Sequence, residues 1–206
     1  MAAPNLEYQR LSEPEKAMLI RELKRTAAHF EFGMGGSSLL AVRAGVRQIV
    51  SVDSDAAWVA GVREHPEIAP RYADGSVSAL HADIGPVREW GAPADRASLQ
   101  MWNAYLAVGW TEWARRKALP DLVFVDGRFR VACCISVALV NMQRQPEAGL
   151  RVLMHDVNDE RPHYRDALEF FEQVEIVDSL MLMKPRSDVS AALGISRLMH
   201  RQFDFR

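Results

Sequence analysis

The stretch from Phe30 to Asp55, FEFGMGGSSLLAVRAGVRQIVSVDSD, constrains this chain more than any other. An apolar run ends in a glycine cluster, a helix-forming segment continues to Gly45, and a second β-prone run, QIVSVD, closes on an acid. Strand, glycine turn, helix and strand in that order build a parallel βαβ unit, because parallel neighbours need a crossover and a helix of this length supplies one. The glycines let backbone N–H groups approach a ligand closely, and the start of a helix favours a negative group. Asp53 stands 20 positions after Gly33, at the end of the second strand, where a carboxylate is placed for the two hydroxyls of a ribose. The stretch points to an adenosine-containing ligand.

The same rhythm continues. SDAAWVAGVREH predicts a helix that starts at the capping residues Ser54 and Asp55, SVSALHAD a third strand, and PDLVFVDG a fourth, bounded by proline and glycine. A helix through VACCISVALVNMQRQ, a fifth strand in GLRVLMHDV and a further helix in HYRDALEFFEQ follow. Ahead of all this, within residues 1–27, Ser12 precedes Glu15 by three positions in a capping-box arrangement, and Met18, Leu19, Leu23 and Ala27 recur at helical intervals, so a leading helix is expected from Glu13 to Ala27. In the tail, VEIVDSLMLMKP and ISRLMHRQFDF read as two strand-like parts closing the sheet as an antiparallel pair. The expected fold is α/β: a Rossmann-like, doubly wound, mostly parallel sheet in a single domain over residues 1–206. Only residues 85–119, an insertion with Trp90, Trp102, Trp110, Trp113 and Tyr105, break the pattern.

Composition narrows the function classes. A net charge of −2 gives no basic field for a phosphate backbone, so no nucleic-acid partner is expected. No window holds the roughly 18 uninterrupted apolar residues of a membrane span, and the N-terminus lacks the order of a secretory signal; the expectation is a cytoplasmic protein with no membrane partner. Cys133 and Cys134 are adjacent, matching neither a redox pair nor a zinc set, and read as buried thiols.

The identity of the cofactor turns on two positions. A dinucleotide fingerprint would need glycine at Ser38, and Glu31 on the first strand would repel a pyrophosphate while suiting a cofactor with an amino group and positive charge. EFGMGGSS resembles the first motif of class I S-adenosylmethionine-dependent methyltransferases, with Ser37 in place of a glycine. The resemblance spans about Ala27 to Arg206 and implies a seven-stranded sheet whose last strand is antiparallel. It implies a cofactor site from Glu31, Gly33, Gly35, Gly36, Ser37, Asp53 and Ser54, with Asp53 on the ribose and Asp83 near the adenine; Ser54 is smaller than the apolar residue many relatives place against that base. Asp126 falls where the family's fourth motif lies, beside the methionine part of the cofactor and the substrate.

In open α/β sheets the ligand crevice lies beyond the carboxyl ends of the strands, where Asp126, His155 and Asp156 stand. Methyl transfer from a sulfonium requires alignment of donor and acceptor, and removal of a proton where the acceptor is a hydroxyl or amine. His155 has a suitable ordinary pKa for that base and Asp126 is its alternative or a substrate-orienting partner; a hydrogen-bonded strand-end histidine is the structural reading of the same residue. Asp126 with Asp156 resembles part of a divalent-metal site of small-molecule O-methyltransferases, but Val157 stands where those relatives carry Asn, and a metal is not expected. Arg128 and Arg130, with Arg161 and Arg165, suit an anionic acceptor or surface ion pairs. The tryptophan insertion reads as packing or a dimer face at helical spacing, with a lid over the crevice as the other reading. The sequence reading is thus an S-adenosylmethionine-dependent methyltransferase of a small acceptor, with a scaffold that has lost the chemistry and an NAD-dependent oxidoreductase as rivals.

Overall fold

The computed structural model describes residues 5–7, 10–142 and 149–204, and the alternation becomes β1 (Ala28–Phe32), α2 (Gly36–Arg43), β2 (Gln48–Asp53), α3 (Ala56–Glu64) and β3 (Val77–His81) behind a leading α1 (Glu13–Leu23). A short α4 (Ala69–Ala73) precedes β3. The insertion supplies a two-stranded hairpin, β4 (Val87–Arg88) and β5 (Ala92–Pro93), then α5 (Ala104–Arg116). There follow β6 (Leu122–Val125), α6 (Arg130–Asn141), β7 (Arg151–Met154), β8 (Phe171–Val177), β9 (Leu180–Pro185) and α7 (Ala191–Arg201). The main sheet has seven strands in the order β3-β2-β1-β6-β7-β9-β8, parallel except that β9 runs antiparallel to both its neighbours.

Local chemistry explains the boundaries. Ser12 Oγ accepts from the Glu15 N–H at 3.3 Å and Glu15 Oε2 accepts from the Ser12 N–H at 2.8 Å, so the capping box forms as the spacing predicts. The helix ends at Leu23, short of Ala27, because Ala27 and Ala28 turn their N–H groups to the Asp121 carboxylate at the sheet's lower edge. Asp55 caps α3 by accepting from Ala57 and Trp58. Cys133 and Cys134 are fully buried in α6, where burial pushes the Cys134 thiol up to about 12. The expected continuation of this helix through Gln143–Gln145 lies outside the described residues.

The tail departs from expectation twice. The antiparallel pair lies wholly within the segment from Phe171 to Pro185, with Val177 opposite Leu180 and Asp178 in the left-handed region at φ 50°. The segment ISRLMHRQFDF belongs to a helix: Ser190 accepts from the Leu193 N–H at 3.2 Å as N-cap, and Gly194 lets α7 cross α6 so closely that a Cβ there would lie 2.6 Å from Leu139. HYRDALEFFEQ likewise divides, with a 3-10 helix over Pro162–Glu169 and Phe171 onward in β8.

Each face of the sheet has its own core. Phe30, Phe32, Val50, Val52, Val123 and Val125 pack under α5, α6 and α7, while Ile49, Leu122, Phe124 and Leu153 meet α1, α2 and α3. Burying one such large apolar side chain contributes roughly 1.5–3 kcal/mol. The strand order reverses between β1 and β6, which places a topological switch point at the ends of the two strands that carry Gly33 and Asp126.

Candidate functional site

At the switch point the ends of β1 and β6 touch. Gly33 has φ +92°, and a Cβ on it would lie 2.6 Å from the Gly127 nitrogen. A Cβ on Gly127 would fall 1.9 Å from the Tyr105 hydroxyl and 2.8 Å from the Gly33 nitrogen. Tyr105 arrives from α5, is fully buried, and its oxygen accepts from the Arg128 N–H at 3.2 Å; burial pushes the phenol well above its usual range. Gly127→Ala is expected to cost about 2–3 kcal/mol by overpacking, and less in a Tyr105→Phe background. Urea midpoints of the four proteins check this; additive losses would mean that Tyr105 does not meet Gly127.

Below the turn lies a closed polar network. Glu31 is fully buried, and its carboxylate accepts from Ser37 Oγ at 2.8 Å, from Ser51 Oγ at 2.6 Å and from Ser38 Oγ. Ser38 Oγ in turn accepts from the Gly35 N–H at 3.1 Å. Strand alternation explains the placement: Phe30 and Phe32 take the face under α5 and α6, so His29 and Glu31 take the other. Glu31 and Ser37 therefore brace the glycine turn from within, which corrects the expectation that Glu31 meets a cofactor's amino group. Gly35 is the N-cap of α2 and Gly36 its first residue; a Cβ on Gly35 would sit 3.2 Å from the Trp58 ring, whose Nε1 donates to the Met34 carbonyl at 2.7 Å.

Asp53 ends β2 beside this turn. Its Oδ1 accepts from the Asp55 N–H at 3.0 Å and Oδ2 from the Met34 N–H at 3.4 Å. Burial raises its carboxyl to about 6 against the lowering effect of those donors and the Ser54 N–H. The hairpin of the insertion roofs it: buried Ser54 donates Oγ to the Gly91 carbonyl at 2.7 Å, and a Cβ on Gly91 would lie 3.3 Å from Asp53 Oδ1. Asp83 is exposed beyond β3 and accepts from the Gly85 N–H at 2.9 Å, completing the line of strand-end acids.

The acids after β6 and β7 are organised by Arg130. Its guanidinium, 6 % exposed, donates to the carbonyls of Gly127 at 3.1 Å, His155 at 2.7 Å and Asp126 at 3.0 Å, and pairs with Asp156 at 2.9 Å and Asp126 at 3.1 Å. A buried arginine whose donors are all engaged holds the chain together, so Arg130 is a structural cation and not the substrate-binding group expected from the sequence. Asp126, His155 and Asp156 bring ligand atoms within 4.8 Å of one another, the one such trio among the described residues. With Arg130 and Arg161 both paired to Asp156, the trio already contains its cations and does not fit a divalent metal.

His155 is 5 % exposed and turned inward. Nδ1 meets Asp126 Oδ1 at 2.9 Å and Nε2 faces Glu15 Oε2, on α1, at 3.4 Å. Burial works against its charging, yet the Asp126 carboxylate outweighs this and holds the ring above the usual histidine range. Both nitrogens are engaged, so the hydrogen-bonded strand-end reading describes His155 and the exposed general base does not. Asp126, with its side chain 31 % exposed, is the member of the trio that reaches the crevice along with Asp156.

Arg128 is partly buried, and its Nε has no hydrogen-bond partner among the described residues. The insertion is mainly packing: Trp102 and Trp113 are fully buried and Gly109 admits Phe30 so closely that a Cβ would lie 2.3 Å from it. Only Trp90, at φ 63° and 60 % exposed beneath the Arg10 guanidinium, stands out. Sequence spacing did not single out Tyr105, Trp58, Gly91 or Gly127 for the site, because each acts through a contact distant in sequence.

No helix among the described residues is long and apolar enough to cross a membrane. No family model matches the chain, and no curated protein matches it. Among solved structures it is similar to a methyltransferase-like protein from Silicibacter pomeroyi at 24 % identity and a TM-score of 0.75, with 95 % of this chain and 97 % of that one covered. What the two share is the fold, a methyltransferase-like α/β domain with a mostly parallel seven-stranded sheet.

Proposed function

We propose that the chain binds S-adenosylmethionine at the β1–α2 turn and transfers its methyl group to a small acceptor with an anionic group. The observation that supports this most is Asp53: an acid kept at a strand end, under a roof, with only backbone N–H donors and a pKa raised to about 6. Such a carboxylate gains from two hydroxyl donors, which a ribose offers. The glycines at 33 and 35 let this turn pack against Gly127 and the Trp58 ring beside Asp53, and Asp83 stands at the next strand end. When bound, the cofactor supplies a methyl group on a positively charged sulfur. The chain aligns the acceptor, the hairpin over Asp53 limits water, and Asp126 accepts the acceptor's proton while His155 positions it. The saturation of His155 and Arg130 favours one rival, a methyltransferase-like binding protein without chemistry.

Thermal unfolding with saturating S-adenosylmethionine, S-adenosylhomocysteine and NAD tests the reading. A ligand at about 100 times its dissociation constant stabilises by roughly 2.7 kcal/mol, or about 5–10 °C for a chain of this size. Shifts with the two sulfur compounds and none with NAD are expected; a shift with NAD alone would overturn the assignment. Methyl transfer to any acceptor then separates enzyme from silent binder.

A further inference from the structure

On the α6 side of the sheet lies a cavity of ≈ 1050 Å³ that the sequence reading did not foresee, because one wall is α7, expected as a strand. Val131, Ile135 and Phe203 form its apolar lining, and Arg96, Arg165, Arg197, His200 and Arg201 its basic groups against Asp166, Glu169 and Asp204. The three acids are consumed internally. Arg197 takes Glu169 at 2.8 Å, and Arg201 takes Asp204 at 3.2 Å and also Asp166. Arg165 is different: its acid, Asp159, stands at 3.7 Å, outside the lining and fully exposed, and a pair so long and so wet contributes little. Of Arg165, Arg197 and Arg201, Arg165 is thus the lining cation least committed to an acid. His200 and Arg201 lie in the last turn of α7, where helix geometry also favours cations.

We infer that this cavity binds a small organic anion, a carboxylate or phosphate carried on an apolar body, with Arg165 as the principal anchor and Val131, Ile135 and Phe203 against the body. Its lining neighbours the crevice's residues along the chain. Val131 follows Arg130, whose guanidinium holds the Asp126 carbonyl, and Arg96 belongs to the insertion whose Gly91 roofs Asp53. That the anion is the methyl acceptor rests on the function proposed above; that an anion binds here does not.

The test is titration calorimetry of the full chain with phenyl phosphate, benzoate and benzylamine, alongside a separate titration with S-adenosylhomocysteine. Phenyl phosphate or benzoate is expected to bind and benzylamine is not, and the ratio of the first two tells which oxyanion the cavity takes. Because Arg165 is half-exposed, Arg165→Gln and Arg165→Glu should fold normally. The first is expected to weaken the anion about tenfold and the second to abolish its binding, both leaving S-adenosylhomocysteine affinity unchanged. Anion binding that survives Arg165→Glu, or equal binding of benzylamine, would overturn the inference. If S-adenosylhomocysteine binds and neither anion does, the anion site is wrong and the cofactor reading stands; the opposite pattern removes the cofactor reading and keeps the anion site.

Discussion

Asp53→Asn is expected to make the unliganded protein more stable at neutral pH and to cost it its affinity for S-adenosylmethionine. Burial raises the Asp53 carboxyl to about 6, well above its unfolded range, so between the two values the folded chain binds a proton that the unfolded chain has released. The sign follows: this group favours the folded state fully below the unfolded pKa, and the benefit is lost as pH rises through about 6. At pH 8 the ionised, desolvated carboxylate costs roughly 3 kcal/mol at about 1.4 kcal/mol per pKa unit. The amide removes the charge and keeps a carbonyl oxygen for one backbone N–H, so thermal unfolding at pH 8 should rise by about 2–5 °C, and the gain should vanish near pH 4. The ligand reports the same group with the opposite sense. Ribose hydroxyls donate to the ionised form, so wild-type affinity for S-adenosylhomocysteine should fall as pH drops below about 6, and the variant should bind at least tenfold more weakly at pH 8. Unchanged affinity in the variant would remove Asp53 from the site.

That opposition also shows what the sequence could and could not express. Strand periods, the glycine turn and the spacing from Gly33 to Asp53 are local, and β1, β2, β3, β6 and β7 lie where those patterns put them. The capping box at Ser12 and Glu15 was legible for the same reason. What escaped depends on partners distant in sequence. Glu31 reads as a ligand group until strand alternation turns it toward Ser37, Ser38 and Ser51. Arg130 reads as a substrate clamp until the ends of β6 and β7 meet around it. The tail was misjudged because its apolar residues were weighed without the Ser190 cap and without Gly194, whose role needs α6 beside it. The signal was present at Ser190; the packing that gives Gly194 its meaning was not.

Arg130→Met should produce a large loss of stability. The guanidinium satisfies three backbone carbonyls and pairs with two carboxylates while itself 6 % exposed, so its removal leaves acceptors from both β6 and β7 without donors. Breaking a buried pair by deleting one partner costs about 3–5 kcal/mol, enough to lower the unfolding midpoint by 10 °C or more. Arg130→Lys should recover only part, because an ammonium cannot span five acceptors arranged for a planar fork. The pH dependence gives a sharper check. In the wild type, burial works to raise Asp156, and Arg130, His155 and Arg161 outweigh it, so the carboxyl is held below its usual range and its stabilisation is lost as pH falls into the acid range. Without the guanidinium much of that pull disappears and burial weighs more heavily on Asp156, so the deficit of Arg130→Met should be larger at pH 8 than at pH 5. Asp156→Asn in the same background should then restore stability, since it removes a charge that has lost its partner. A deficit that is flat with pH and unaffected by Asp156→Asn would mean that Arg130 acts through packing and its carbonyl contacts alone.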